Sequence, residues 1–220
     1  MIHFFHSENF FARIAWKFSQ LLLLNVLLLF FSLPLFTIGA AITAGSKVAT
    51  DLIEGKAPAV VQQFWSTFCQ SFRKSFRKSF RKSTLIWLGL LISLWLLTAD
   101  WLYYFQLKGT PDLFTVGLVI CTFMWLQFFQ VSFFLLARYD SGIKTILLNS
   151  IKVAAKHPFK ILSLHLLTAA PIVIMLLSPY ALVFSMYIAC FFGLSCFLYV
   201  RCQLLLAIFK KYEKVEIAEK

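Results

Sequence analysis

Seven polar residues lie deep inside otherwise apolar stretches of this 220-residue chain: Asn25, Asp100, Gln127, Gln130, His165, Arg201 and Gln203. A polar side chain at such depth is costly in hydrocarbon unless it is paired or used, so these are the positions where chemistry could reside. Asp100 lies about two turns from the end of its apolar run and could bind a cation or a proton; the plainer reading is an acid capped by backbone or water near an interface. His165 stands between Leu164 and Leu166 with no Glu or second His one turn away, which reads as a packing histidine rather than a metal ligand. Gln127 and Gln130 share a helical face and can bond across to a neighbouring helix. Arg201 can extend its head group toward an interface.

Motifs that would commit the chain to catalysis do not occur. The sequence has no Gly-rich phosphate loop, no His-Glu-x-x-His, no Gly-x-Ser-x-Gly, no paired intramembrane aspartates and no histidine cluster able to hold iron. We therefore expect no enzymatic activity, no metal and no cofactor. Five cysteines (Cys69, Cys121, Cys190, Cys196, Cys202) are odd in number and lack Cys-x-x-Cys spacing, so neither a disulfide framework nor a zinc site is expected.

The composition says where these residues sit. Sixty per cent of the chain is apolar, 18% is aromatic and the mean hydropathy is +0.82, against about 45–50% apolar residues in soluble domains. This predicts an all-α, polytopic transmembrane helical bundle, with a single integral membrane domain over residues 1–209 and a charged cytoplasmic tail over 210–220. A net charge of +12 can indicate nucleic acid, but the basic residues adjoin apolar runs and no RNA-recognition or zinc-knuckle motif accompanies them, so no nucleic-acid partner is expected. Positive loop charge accounts for the excess.

One stretch concentrates that charge. Phenylalanine recurs at 64, 68, 72, 76 and 80, and Ser-Phe-Arg-Lys repeats three times from Ser71. A four-residue step keeps the phenylalanines on one drifting helical ridge with cationic stripes beside it, which predicts a basic interfacial helix at 60–83 lying on the bilayer. Its candidate membrane-surface residues are Phe72, Arg73, Lys74, Phe76, Arg77, Lys78, Phe80, Arg81 and Lys82, and the partner is a bilayer with anionic head groups, each cation contributing roughly 1 kcal/mol.

The spans follow from apolar length. Residues 1–17 read as an interfacial lead-in. Five long spans are expected at 18–36, 84–107, 113–137, 159–177 and 180–209, with an aromatic belt at Trp101, Tyr103 and Tyr104. A cleaved signal peptide is the rival reading of the first, disfavoured because the run exceeds a normal h-region. Pro34 should break the first helix, with Gly39 just beyond. Residues 37–54 are rich in small residues and read as a shorter sixth crossing or a re-entrant helix. A second surface helix is expected between Arg138 and Lys160. Six crossings would leave Lys108 alone among 21 basic residues on the far side and put both termini in the cytoplasm; five would move the N-terminus outside. The charge rule favours six. Each hairpin opens on a basic, aromatic lead-in and turns near a proline (Pro34, Pro111, Pro179), a faint internal repeat.

The break Ser32-Leu33-Pro34-Leu35-Phe36-Thr37-Ile38-Gly39 resembles the YesL family of small bacterial membrane proteins, a domain of unknown function. Asn25 before the break, Phe72 to Trp87, and Asn149 with His157-Pro158 agree with it, and the resemblance covers roughly residues 15–205. Ala40 stands where the family pattern has proline. The resemblance implies a multi-pass protein of the bacterial cytoplasmic (cell) membrane, and the charge rule puts its C-terminus in the cytoplasm. Because such proteins are often encoded beside sugar-uptake ABC transporters, it also implies an accessory or regulatory role in carbohydrate transport, with ABC transporter subunits as partners. It supplies no catalytic residues. A carotenoid-oxygenase label attached to some relatives would need iron ligands that this chain lacks. The alternative function is a small-molecule or ion transporter, with Asp100, His165 and the Pro34 break near its path. The oligomeric state is left open.

Overall fold

The computed structural model describes residues 10–56, 59–73, 79–106, 113–139 and 142–218, and every regular element among them is helical. The order is α1 (Phe10–Ser32), a 3-10 turn (Leu35–Thr37), α2 (Ile38–Ile53), α3 (Val60–Arg73), α4 (Ser79–Gln106), α5 (Leu113–Arg138), α6 (Ile143–Lys156), α7 (Pro158–Leu177), α8 (Pro179–Ile188), a π-helical segment (Ala189–Gly193) and α9 (Leu194–Ala218). Five stretches are long and apolar enough to cross a membrane: Ile14–Ser32, Ser83–Gln106, Leu113–Arg138, Pro158–Leu177 and Pro179–Lys210. The protein is an all-α membrane bundle.

Local chemistry sets the boundaries. Pro34 takes an extended conformation (φ −77°, ψ 122°) and ends α1. Thr37 Oγ1 lies 2.6 Å from the Phe31 carbonyl and 2.8 Å from that of Pro34, serving acceptors freed at the helix end. Ala40 falls in the first turn of α2, where proline would also fit, so the departure from the family pattern leaves the turn intact. Gly55, at φ 73°, closes α2 in a Schellman motif, with Lys56 N–H bonded to Asp51 O and Gly55 N–H to Leu52 O. Prolines open α7 and α8, where a missing N–H costs nothing.

Side-chain contacts fix the directions of the helices. Trp101 with Thr122, Trp125 with Ser93 and Trp87 with Phe133 make α4 and α5 an antiparallel pair. The start of α4 and the end of α5 therefore share one end of the bundle, here the basic end. Phe209 packs on Phe134 and Tyr139, and Lys160 reaches the Ala207 carbonyl, so α9 finishes and α7 begins there too. The chain leaving α1 also arrives there, since Trp87 Nε1 donates to Leu35 O at 2.8 Å. Asn25 meets Ser195, and Leu28 and Leu198 both crowd Gly45, so α1 runs in the same sense as α9.

Helix α2 corrects the expected map. Gly39 at its start lies against Ser83 and Phe133, and Glu54 at its end pairs with Arg138. Phe133 and Arg138 are about 8 Å apart along α5, whereas α2 covers about 22 Å from 39 to 54. It lies across the basic end instead of running the depth of the bundle, and of the two readings of 37–54 the re-entrant one fits. Loop charge favoured six crossings because five carry Arg13 and Lys17 to the far side with the N-terminus; burial of twelve α2 residues in the protein is the setting in which a non-spanning segment is tolerated at depth.

Burial is uneven. Twelve of the 16 residues of α2 and nine of the 26 of α5 are buried, whereas among the described side chains of α4 only Ser83 and Leu90 are. Around α2 the core gathers Leu24, Phe64, Phe134, Leu205 and Cys202. The basic stretch 60–83 is described in part: Val60–Arg73 is helical and Ser79–Lys82 opens the spanning helix α4, while residues 74–78 lie outside the described ones. Phe64 and Phe68 are buried against Phe31, with ring centroids 5.5 and 4.7 Å away, so the first two ridge residues pack on protein instead of entering lipid. The side chains of Phe72, Arg73, Lys74, Phe76, Arg77, Lys78, Phe80, Arg81 and Lys82 lie outside the described ones. At the other terminus α9 continues as helix to Ala218, through most of the expected tail.

Candidate functional site

The α5 face bearing Gln127 and Gln130 is met by α6 and α7, and the three helices enclose a polar cluster. Both glutamines are fully buried and His165 is nearly so. Gln130 Nε2 donates to Thr168 Oγ1 at 2.7 Å. Because the Thr168 hydroxyl gives its own hydrogen to Leu164 O, its oxygen must accept here, which fixes the orientation of the Gln130 amide. The second amide hydrogen faces His165 Nδ1 at 3.3 Å. Nδ1 then accepts, and the imidazole carries its proton on Nε2. The ring of Phe123 meets the imidazole edge-on, with centroids 4.2 Å apart. One turn away, Gln127 Nε2 reaches the Ser150 carbonyl at 3.3 Å.

Three buried atoms in this cluster have no protein partner: Gln127 Oε1, Gln130 Oε1 and His165 Nε2. Two are acceptors and one, by the tautomer just derived, is a donor. The cluster can bind by hydrogen bonds and lock α5 to α6 and α7. It brings no nucleophile to a base, and among the described residues no group of three or more His, Cys, Asp or Glu assembles that could hold a metal.

Asn25 and Asp100 belong elsewhere. Asn25 Nδ2 donates to the carbonyls of Ala189 (3.1 Å) and Cys190 (2.7 Å), and its Oδ1 accepts from Ser195 N–H (3.0 Å). A π-helical turn leaves backbone groups out of register, and this one side chain serves three of them, riveting α1 to the α8–α9 junction. Asp100 and Gln203 are exposed and join neither group. Arg201 is corrected outright: it does not reach an interface but is 1% exposed beside α2, with Nη2 3.4 Å from Ser46 Oγ and Nε without a partner. Among the described residues no carboxylate pairs with it. Also unforeseen were the π segment and Pro171 inside α7, discontinuities beyond the Pro34 break.

The carboxylates that do assemble sit at the basic end. Asp51 is held by Lys47 (3.5 Å), Lys56 (3.3 Å) and Gln63. Glu54 is bridged by Lys56 (2.6 Å) and Arg138 (2.9 Å). The hydrogen bond from Lys56 and then the Arg138 guanidinium, working against burial, lower the Glu54 carboxyl to about 2, and the same carboxylate raises Lys56. This network fastens α2 to α5. Sequence spacing shows Lys47–Asp51, but the partnership of Glu54 with Arg138, 84 residues on, has no local signal.

A family described as a protein of unknown function, DUF624, has a model that matches residues 21–101, from within α1 through α2 and α3 into α4. No curated protein and no solved structure matches the chain.

Proposed function

We propose that this chain is a YesL-type accessory or regulatory subunit of a carbohydrate transport system, non-catalytic, in the bacterial cytoplasmic membrane. The observation that carries this reading is how few residues of its spans are buried against one another. Among the described side chains α4 buries only Ser83 and Leu90, α7 three of its 20 residues and α8 none, and Trp95, Phe105, Leu176 and Phe184 are among the large residues left exposed. Such faces are available to the helices of another membrane protein as well as to lipid. The polar groups at depth mostly bond to neighbouring helices instead of lining a path. Positive charge gathered at the basic end makes that end cytoplasmic, and with it the C-terminus. Affinity purification in mild detergent tests the reading: ABC transporter subunits should elute with the tagged chain, and their absence after cross-linking in cells would reject it.

A second reading, a small-molecule or ion transporter, is favoured by one observation. Helix breaks at Pro34 and at the π segment flank buried Arg201 and Asn25, and discontinuous helices with polar groups at depth are the usual substructure of transport sites. Solute uptake by the purified chain alone in liposomes would establish it.

A further inference from the structure

A groove of about 280 Å³ runs between α4, α5 and α6, walled by Leu85, Gly89 and Ser93 of α4, Ser132 of α5, and Ile143 and Leu147 of α6. Small residues create it. Nothing lies within 4 Å of the point a Gly89 Cβ would occupy, and Ser93 commits its hydroxyl to Leu90 O and Trp125 Nε1, both at 3.0 Å. The surface around it is apolar and exposed at Leu88, Ile92 and Leu148, so the groove faces hydrocarbon.

Its dimensions select the occupant. From Leu85 to Ser93 the groove follows α4 for about 12 Å, close to the ~15 Å hydrocarbon depth of one leaflet. Spread over that length, its volume gives a width of about 5 Å, half the ~10 Å diameter of a helix. It starts just past the first turn of α4, where Arg81 and Lys82 stand in the sequence, and exposed Lys144 follows Ile143 at its α6 wall. We propose that this groove holds one acyl chain of an anionic phospholipid from the leaflet at the basic end, its head group over Lys144 and the start of α4. The site is separate from the polar cluster and independent of any transporter partner.

Native mass spectrometry decides it, on protein taken from nanodiscs of equal phosphatidylglycerol and phosphatidylcholine into mild detergent. The wild-type chain should retain one phosphatidylglycerol. Gly89→Leu fills open space, so it should fold normally yet retain at least about tenfold less, since each displaced methylene is worth roughly a factor of four; Leu147→Trp on the opposite wall should act alike. Lys144→Gln should cut the preference for phosphatidylglycerol about fivefold. Unchanged retention in both groove variants, equal retention of the two lipids by the wild type, or a dimer that Gly89→Leu abolishes in place of a bound lipid would each overturn the proposal.

Discussion

Helices α2 and α6 are two of the short connectors at the basic end, where α3 is another, and they have opposite surroundings. Helix α2 has twelve buried residues of 16, whereas α6 has three of 14: Ile146, Ser150 and Val153. Both begin and end at the same end of the bundle. The difference lies in side-chain size. The Gly39, Ala40, Ala41, Ala44, Gly45, Ala49 series lets α2 sink until neighbouring side chains and backbone touch it, while Lys144, Leu147, Leu148, Ile151 and Lys152 keep most of α6 outward. A connector with a small-residue surface becomes core; one with bulky and charged faces remains interfacial.

The comparison fails altogether if α2 spans the bilayer. In a cysteine-free background, His3→Cys and Ala218→Cys should report opposite sides: an impermeant thiol reagent on intact cells labels position 3 and spares 218. Equal behaviour of the two positions would return α2 to a crossing and end its likeness to α6. Next in size is close packing. A Cβ at Gly39 would stand 2.9 Å from both the Ser83 carbonyl oxygen and Trp87 Cβ, so Gly39→Val should cost about 3 kcal/mol of stability in detergent, the upper part of the overpacking range. Ala155→Leu, on the exposed face of α6, should stay within about 0.5 kcal/mol.

A smaller effect sharpens how α2 is held. Folded Glu54 titrates at about 2 against an ordinary 4.5, so its stabilisation is complete above pH 4.5 and is lost as pH falls toward 2. Discounted for the exposure of Lys56, Glu54→Gln should cost about 1–2 kcal/mol at pH 7. Unfolding midpoints of the variant and wild type should converge by pH 2; a gap independent of pH would mean the carboxylate is not what anchors α2.

Several parts of this architecture were legible in the residues. Pro34 ends α1 because a missing N–H and a fixed φ act on the adjacent turn whatever the rest of the chain does. The glutamine pair could be placed on one face from its i, i+3 spacing, yet its partners Ser150, His165 and Thr168 come from two other helices. The phenylalanine ridge misled at its start, since periodicity gives a face without saying what covers it, and Phe31 covers Phe64 and Phe68. Arg201 looked able to extend outward because reach is a property of the side chain, whereas its burial depends on how close Ser46 of α2 approaches α9.

By itself the sequence determined the membrane class, the helical content and the five long spans, because apolar run length and proline stereochemistry act over a few neighbouring residues. Only the tertiary structure decided that α2 lies across the bundle, that Asn25 rivets a π segment 164 residues away, and that Glu54 pairs with Arg138. Each of these depends on which distant surfaces meet, and small residues and unpaired backbone groups acquire their meaning only from what is brought against them.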